Sequence, residues 1–338
     1  MKFKTFVVTA ASKVYKKIVK KPYYDCMPGC VWKRQEANDL LYNALAKDEP
    51  FMLTRYGSIE MVVTNTIRII EEKGCIFGKI LDYITDKTDL PWMDDNVYVS
   101  ISRNAGVFNP TPEILERFGH RFLEDSKDID MLMSVNYKEK FMPLKSECQF
   151  IHFESIYPFF VEHPWTRVLK GKKVLVIHPY AKSIEQQYAR KDKLFDNPDI
   201  LPDFQLITLK AVQSSAYAKV PFKDWFEALK YMEDEMDKID YDICLIGAGA
   251  YGLPLAAHAK RMGKQALHIG GGVQLLFGIK GKRWEEEYLA LTEAGKFGYN
   301  VPFQLNLNYY DLFNQYWINP SQEEIPERAK SVEGGCYW

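Results

Sequence analysis

DICLIGAGAYGLPLAAHAKRMGKQALHIGGGVQLLFGIKGKRW, residues 242–284, parses as strand, glycine-rich turn, helix, strand and second glycine-rich turn. The run Ile243-Cys244-Leu245-Ile246 is short, apolar and β-branched, as in a parallel strand covered on both faces. Gly247, Gly249 and Gly252 then spell G-x-G-x-x-G, and Leu253 to Met262 carry apolar residues at helical spacing. A turn of that kind opens a helix whose unpaired N–H groups and positive dipole end face an anion, so phosphate is the expected ligand.

A dinucleotide-binding unit would place an acidic residue at the end of its second strand to hold a ribose. Here Ala266 to Ile269 run instead into Gly270, Gly271 and Gly272, and the next acid is Glu285. The unit also stands late in the chain, after strands expected near 173–178 and 205–209. No NAD or FAD is therefore expected. The competing structural explanation is that these glycines only permit close packing of helix on strand.

The 338 residues are 47% hydrophobic and 26% charged, enough for one large α/β domain or two smaller ones. A formal net charge of −1 argues against a general nucleic-acid binder. Cysteines at 26, 30, 75, 148, 244 and 336 form no C-x-x-C pair, which suggests neither a zinc site nor a disulfide framework and fits a reduced, cytoplasmic setting. Residues 1–24 hold seven lysines and no acid, with no apolar core long enough for a secretory signal. No stretch reaches the run of about 20 apolar residues needed to span a membrane. The basic stretch is expected either to lie peripherally on the anionic inner membrane face, with Phe3, Phe6, Val14 and Ile18 turned inward, or to be a solvated helix or arm.

Upstream, Trp32 to Lys47 reads as an amphipathic helix and Phe51 to Thr54 as a buried strand. That strand ends in Arg55-Tyr56-Gly57-Ser58-Ile59-Glu60, where Ser58 could cap a helix continuing through Ile69. Arg55 and Glu60 are thus candidates at the carboxyl edge of a sheet, where open α/β sheets bind ligands. Val97 to Ile101 and Met131 to Val135 are expected as further strands around a helix from Thr111 to Asp125, with Pro112 in its first turn. Helices near 184–190 and 222–239 complete an alternation that predicts a Rossmann-like, doubly wound, mostly parallel sheet with helices on both faces. His178 and Lys182 follow one of its strands, although a histidine there is commonly a packed structural residue. Lys280, Lys282 and Arg283 follow the second glycine turn and could reach a pyrophosphate or form a solvated basic loop. The aromatic run Tyr309 to Trp317 is expected to be a docking segment.

The strand ending Arg-Tyr-Gly-Ser-Ile-Glu, paired with Ile-Gly-Ala-Gly-Ala-Tyr-Gly and His-Ile-Gly-Gly-Gly, resembles the bacterial GT-D fold glycosyltransferases over roughly residues 37 to 290. That resemblance implies a Rossmann-like single domain using a nucleotide-sugar donor, a UDP-sugar in the simplest case. The acceptor would be a glycan or a lipid-linked or protein-linked sugar, in surface polysaccharide or glycoprotein synthesis. It divides the chain into a basic arm or helix at 1–30, the transferase domain at 31–300 and an aromatic docking segment at 301–338. The family's first turn usually carries Asp-x-Glu after Arg-aromatic-Gly. This chain keeps Arg55, Tyr56, Gly57 and Glu60 but has Ser58 at the aspartate's position, so a divalent metal loses one charged oxygen ligand. Mn2+ or Mg2+ is then expected only together with the donor, through Glu60. Sugar transfer also needs the leaving diphosphate stabilised, by Arg55, Gly57, Ser58, the two glycine turns, Lys280 and Arg283. It needs a general base as well, for which Glu60, Glu154 and His178 are the candidates. The alternatives are another nucleotide-dependent enzyme, such as a reductase or other group transferase, and a non-catalytic sugar-nucleotide binding protein.

Overall fold

A computed structural model describes residues 2–19, 26–287, 309–332, 334, 335, 337 and 338. The chain opens with α1 (Lys2–Val19) and α2 (Arg34–Leu45), then β1 (Phe51–Thr54), α3 (Ser58–Glu71), α4 (Ile76–Ile84), α5 (Asp95–Ala105), α6 (Pro112–Ser126), β2 (Met131–Ser134) and β3 (Gln149–His152). The second half runs β4 (Lys173–His178), α7 (Ala181–Tyr188), β5 (Gln205–Lys210), α8 (Trp225–Met236), β6 (Ile243–Ile246), α9 (Gly252–Arg261), β7 (Gln265–His268) and α10 (Gly272–Leu276).

The strands form one sheet in the order β3-β2-β1-β7-β6-β4-β5, every pair parallel. The expected doubly wound architecture is therefore present. Alternate residues of each strand supply two cores, because successive side chains point to opposite faces. Met52, Leu132, Leu175, Ile177, Cys244 and Ile246 face α3, α5, α6, α8 and α9. Leu53, Met131, Met133, Val174, Val176 and Leu245 face α2, α7 and α10, joined by Tyr309 and Trp317 from the aromatic run. The boundary drawn after residue 300 lies outside the described residues, as does the stretch 20–25 that would link the basic arm to the rest.

Two expectations need correction. Val97 to Ile101 belong to helix α5 rather than to a strand. Asp94 accepts a hydrogen bond from the Asn96 N–H, and Gly106 ends the helix in the left-handed region at φ 78°. Ile101 and Ala105, four residues apart, are the buried ones. Local capping at both ends thus outweighs a β-rich composition. Ser58 is the first residue of α3, not its cap. Gly57 holds the cap position, and the Glu60 carboxylate lies back over it where a Cβ would collide. Helix α4, which the sequence pattern did not single out, has no buried residue.

Candidate functional site

Where neighbouring parallel strands send the chain to opposite faces, their carboxyl ends leave a crevice. This happens between β1, which leads into α3 on one face, and β7, which leads into α10 on the other. Arg55 follows β1 and Gly270 follows β7. A Cβ at Gly270 would stand 3.7 Å from Arg55 Nη1, so the guanidinium rests against that turn. Residues more than 200 positions apart meet because β1 and β7 are paired in the sheet.

His268 closes β7 next to this arginine. Its ring donates from Nδ1 to the Ile246 carbonyl at 3.2 Å, since a carbonyl oxygen can only accept, and this leaves Nε2 as an acceptor. Burial, helped by the Arg55 charge, lowers its pKa to about 3, so the ring is neutral. Gly252 lacks a Cβ where this ring packs. On the far side of β6, His178 closes β4 and accepts from the Tyr180 N–H on Nδ1 at 3.0 Å, which puts the ring proton on Nε2. A Cβ at Gly247 would meet the His178 ring and stand 2.8 Å from the Gly270 carbonyl oxygen. Burial likewise lowers His178 to about 3. A ring so held does not take up a proton near neutrality, and it suits a hydrogen-bonding role beside Gly247 better than that of a general base.

Tyr157 is the residue around which several candidates gather. Its phenol is buried, with its pKa pushed up to about 12, and it feels the charges of Glu154, Arg55 and Arg283. The ring packs against Gly272, where a Cβ would come within 2.8 Å of Cε1. Trp284 and Tyr337 cover Gly271 in the same way. Arg283 donates to the Tyr337 hydroxyl at 3.2 Å and lies 4.8 Å from the centre of its ring. The second glycine turn is therefore roofed by aromatic rings. In the first turn Gly249 has a left-handed φ of 55°, and the space around its missing Cβ is open apart from the Ala105 carbonyl at 3.7 Å.

Two further candidate lysines are engaged in ion pairs. Lys280 pairs with Glu285 at 2.8 Å, and Lys182 pairs with Glu323 at 2.9 Å. Ser58 is exposed at the start of α3, while Glu60 is buried. For a divalent cation these two supply one carboxylate and one hydroxyl. That is too few hard oxygens for Mg2+ or Mn2+ alone, but it fits an ion that brings phosphate oxygens with it.

Sequence reasoning missed Glu139. It lies in the single-turn helix after β2, fully buried, and accepts from the Ser134 hydroxyl and from the Val135 N–H at 3.0 Å. Burial pushes its carboxyl up to about 7, against those hydrogen bonds and the Arg55 charge. No spacing rule marks it, because its character comes wholly from what covers it. His268 was likewise not singled out, although it lies at the end of β7, one residue before the second glycine turn.

Residues 156–276, from just after β3 to the end of α10, match the model of the GT-D fold-like domain, which bears out the family resemblance for this half of the sheet. Among solved structures, the chain is similar to one described as a new glycosyltransferase, of domain of unknown function 1792, from Streptococcus sanguinis. Identity is 11% and the TM-score 0.31, over 85% of this chain and 94% of that one. It is also similar to a structure of the highly conserved domain of unknown function 1792, described as having a distinct glycosyltransferase fold. Here identity is 12% and the TM-score 0.32, over 92% of this chain and 98% of that one. Overlaps this loose say nothing about this chain's chemistry. None of the curated proteins matches it.

Proposed function

We propose that this chain, whose residues 156–276 form a GT-D fold-like domain, is a glycosyltransferase that moves a sugar from a nucleotide-sugar donor, in the simplest case a UDP-sugar, to a glycan or glycoconjugate acceptor. Its products would belong to bacterial surface polysaccharide or glycoprotein glycans. The observation that carries the proposal is the half-buried guanidinium of Arg55 set against Gly270 in the crevice between β1 and β7. A fixed cation beside a glycine-bearing strand end suits the charge that develops on a leaving diphosphate. The first turn is open only at exposed Gly249, since the N–H groups of Gly247, Tyr251 and Gly252 are already bonded within the fold, and Arg283 approaches from beyond α10. A divalent cation, where used, would arrive with the diphosphate and be held by Glu60. The acceptor hydroxyl needs a base, and Glu60 or Glu154 fits that role better than neutral His178.

Calorimetric titration with UDP, with and without Mn2+, tests the placement. Arg55→Gln is expected to weaken UDP binding about tenfold or more, the usual cost of losing a charged hydrogen bond, with little change in thermal midpoint. Mn2+ is expected to bind measurably only when UDP is present. Unchanged UDP affinity in the variant would remove Arg55 and the crevice from the site. Donor binding without release of free UDP in the presence of acceptors would favour a non-catalytic sugar-nucleotide binding protein.

A further inference from the structure

Helix α1 is amphipathic the wrong way round for a helix that only packs on its own protein. Its protein-facing side is largely polar. The Trp92 indole donates to Thr5 at 3.0 Å, Thr9 and the Tyr83 hydroxyl lie 3.3 Å apart, and Ser12 donates to the Tyr83 carbonyl at 3.4 Å, with Val8 buried among them. Phe6, Val14 and Ile18 recur at helical spacing on the opposite side, 70%, 58% and 74% exposed, with Val7 beside them. The neighbouring α4 adds Ile76, Phe77 and Leu81, all exposed. Exposed apolar side chains gathered on two neighbouring helices mark a place where something docks.

Charge decides what docks. Lys4, Lys13, Lys16 and Lys17 lie in α1, which contains no acid. Lys4 sits over the Trp92 ring and Lys16 pairs with Asp86, while Lys13 and Lys17 flank the apolar stripe and are exposed. A second copy of the chain would bring lysine against lysine. A surface of anionic phospholipid would satisfy both halves of the pattern, apolar side chains entering the acyl boundary and ammonium groups meeting phosphates. None of the described helices is long and apolar enough to cross a membrane, so α1 would lie on it.

We infer that the outward face of α1, together with the exposed side of α4, docks the protein on an anionic lipid surface. This does not rest on the donor site. The segment α1 rests on also holds the turn after β2, through Tyr137 to the Asp86 carbonyl at 2.7 Å and Lys138 to Asp89 at 2.7 Å.

Co-sedimentation of the full chain with vesicles of phosphatidylcholine alone, and with vesicles also containing phosphatidylglycerol, tests the inference. Binding is expected only to the anionic vesicles and is expected to weaken with salt. The double variants Phe6→Ser/Ile18→Ser and Lys13→Glu/Lys17→Glu are each expected to lower it about tenfold or more. A control with the same charge change elsewhere, Lys127→Glu/Lys238→Glu, should bind as the wild type does. Four outcomes would overturn the inference. They are no binding to either vesicle, equal binding to both, equal loss in the control, and lipid-independent self-association that Phe6→Ser/Ile18→Ser abolishes.

Discussion

Glu139 shows how burial alone can set the behaviour of one group. Its carboxyl is raised from an ordinary 4.5 to about 7, so the folded protein holds this proton more tightly than the unfolded chain does. The stability it contributes is present below about pH 4.5 and is lost as the pH rises through about 7. Glu139→Gln, which mimics the protonated form, should come within about 1 kcal/mol of the wild type in urea unfolding at pH 5. At pH 8 it should be more stable, by roughly 3 kcal/mol for a shift of this size. Equal differences at the two pH values would show that the carboxyl titrates normally. His178 and His268 are governed by burial in the opposite sense, and each occupies space left by a glycine, Gly247 and Gly252.

At the scale of an element, α7 depends on a residue far away in sequence. The Glu324 carboxylate is buried at the start of this helix, where it accepts from the Lys182 N–H at 3.1 Å, from the Ser183 N–H at 3.3 Å and from the Ser183 hydroxyl. It satisfies N–H groups that a helix start leaves unpaired, and its charge complements the helix dipole. Glu324→Ala should lower the unfolding free energy by about 2 kcal/mol, within the range of caps and charged hydrogen bonds. Glu324→Gln should recover part of that. A urea midpoint unchanged in Glu324→Ala would mean that water replaces the carboxylate at no cost. The same tail returns to the sheet edge through Tyr337, whose carbonyl accepts from Gln274 and from Tyr180, each at 3.3 Å.

Across the whole molecule, His152, His178 and His268 end three strands on the carboxyl edge of one sheet, buried and neutral, with pKa values lowered to about 4, 3 and 3. In the unfolded chain each would titrate near 6.5. Their contribution to stability is thus complete above about pH 6.5 and is lost as the pH falls toward 4 and below. The combined slope is on the order of 4 kcal/mol per pH unit, partly offset by Glu139. With that offset included, unfolding free energy should drop by roughly 3 to 4 kcal/mol between pH 7 and pH 5, a large share of the stability of an ordinary domain. A flat urea-unfolding profile over that range would mean that these rings are hydrated or already charged in the native state.

The strand–turn–helix units at 51–71 and 243–269, the alternation into a parallel sheet and the GT-D resemblance were all legible in the sequence, because apolar periodicity and glycine placement act over a few residues at a time. Arg55 and the glycines could likewise be named as residues of a strand end. That Arg55 lies against Gly270, that aromatic rings from Tyr157, Trp284 and Tyr337 roof the second glycine turn, and that Glu139 is a buried acid depended on strand order and on the return of the C-terminal tail. The helix at 95–105 was decided by capping at both of its ends, and the outward turn of the apolar stripe on α1 by its polar contacts with Tyr83 and Trp92. Side-chain composition states which faces are apolar, but only the packed neighbours determine which of those faces is covered, and with it the pKa and the role of each group that lies there.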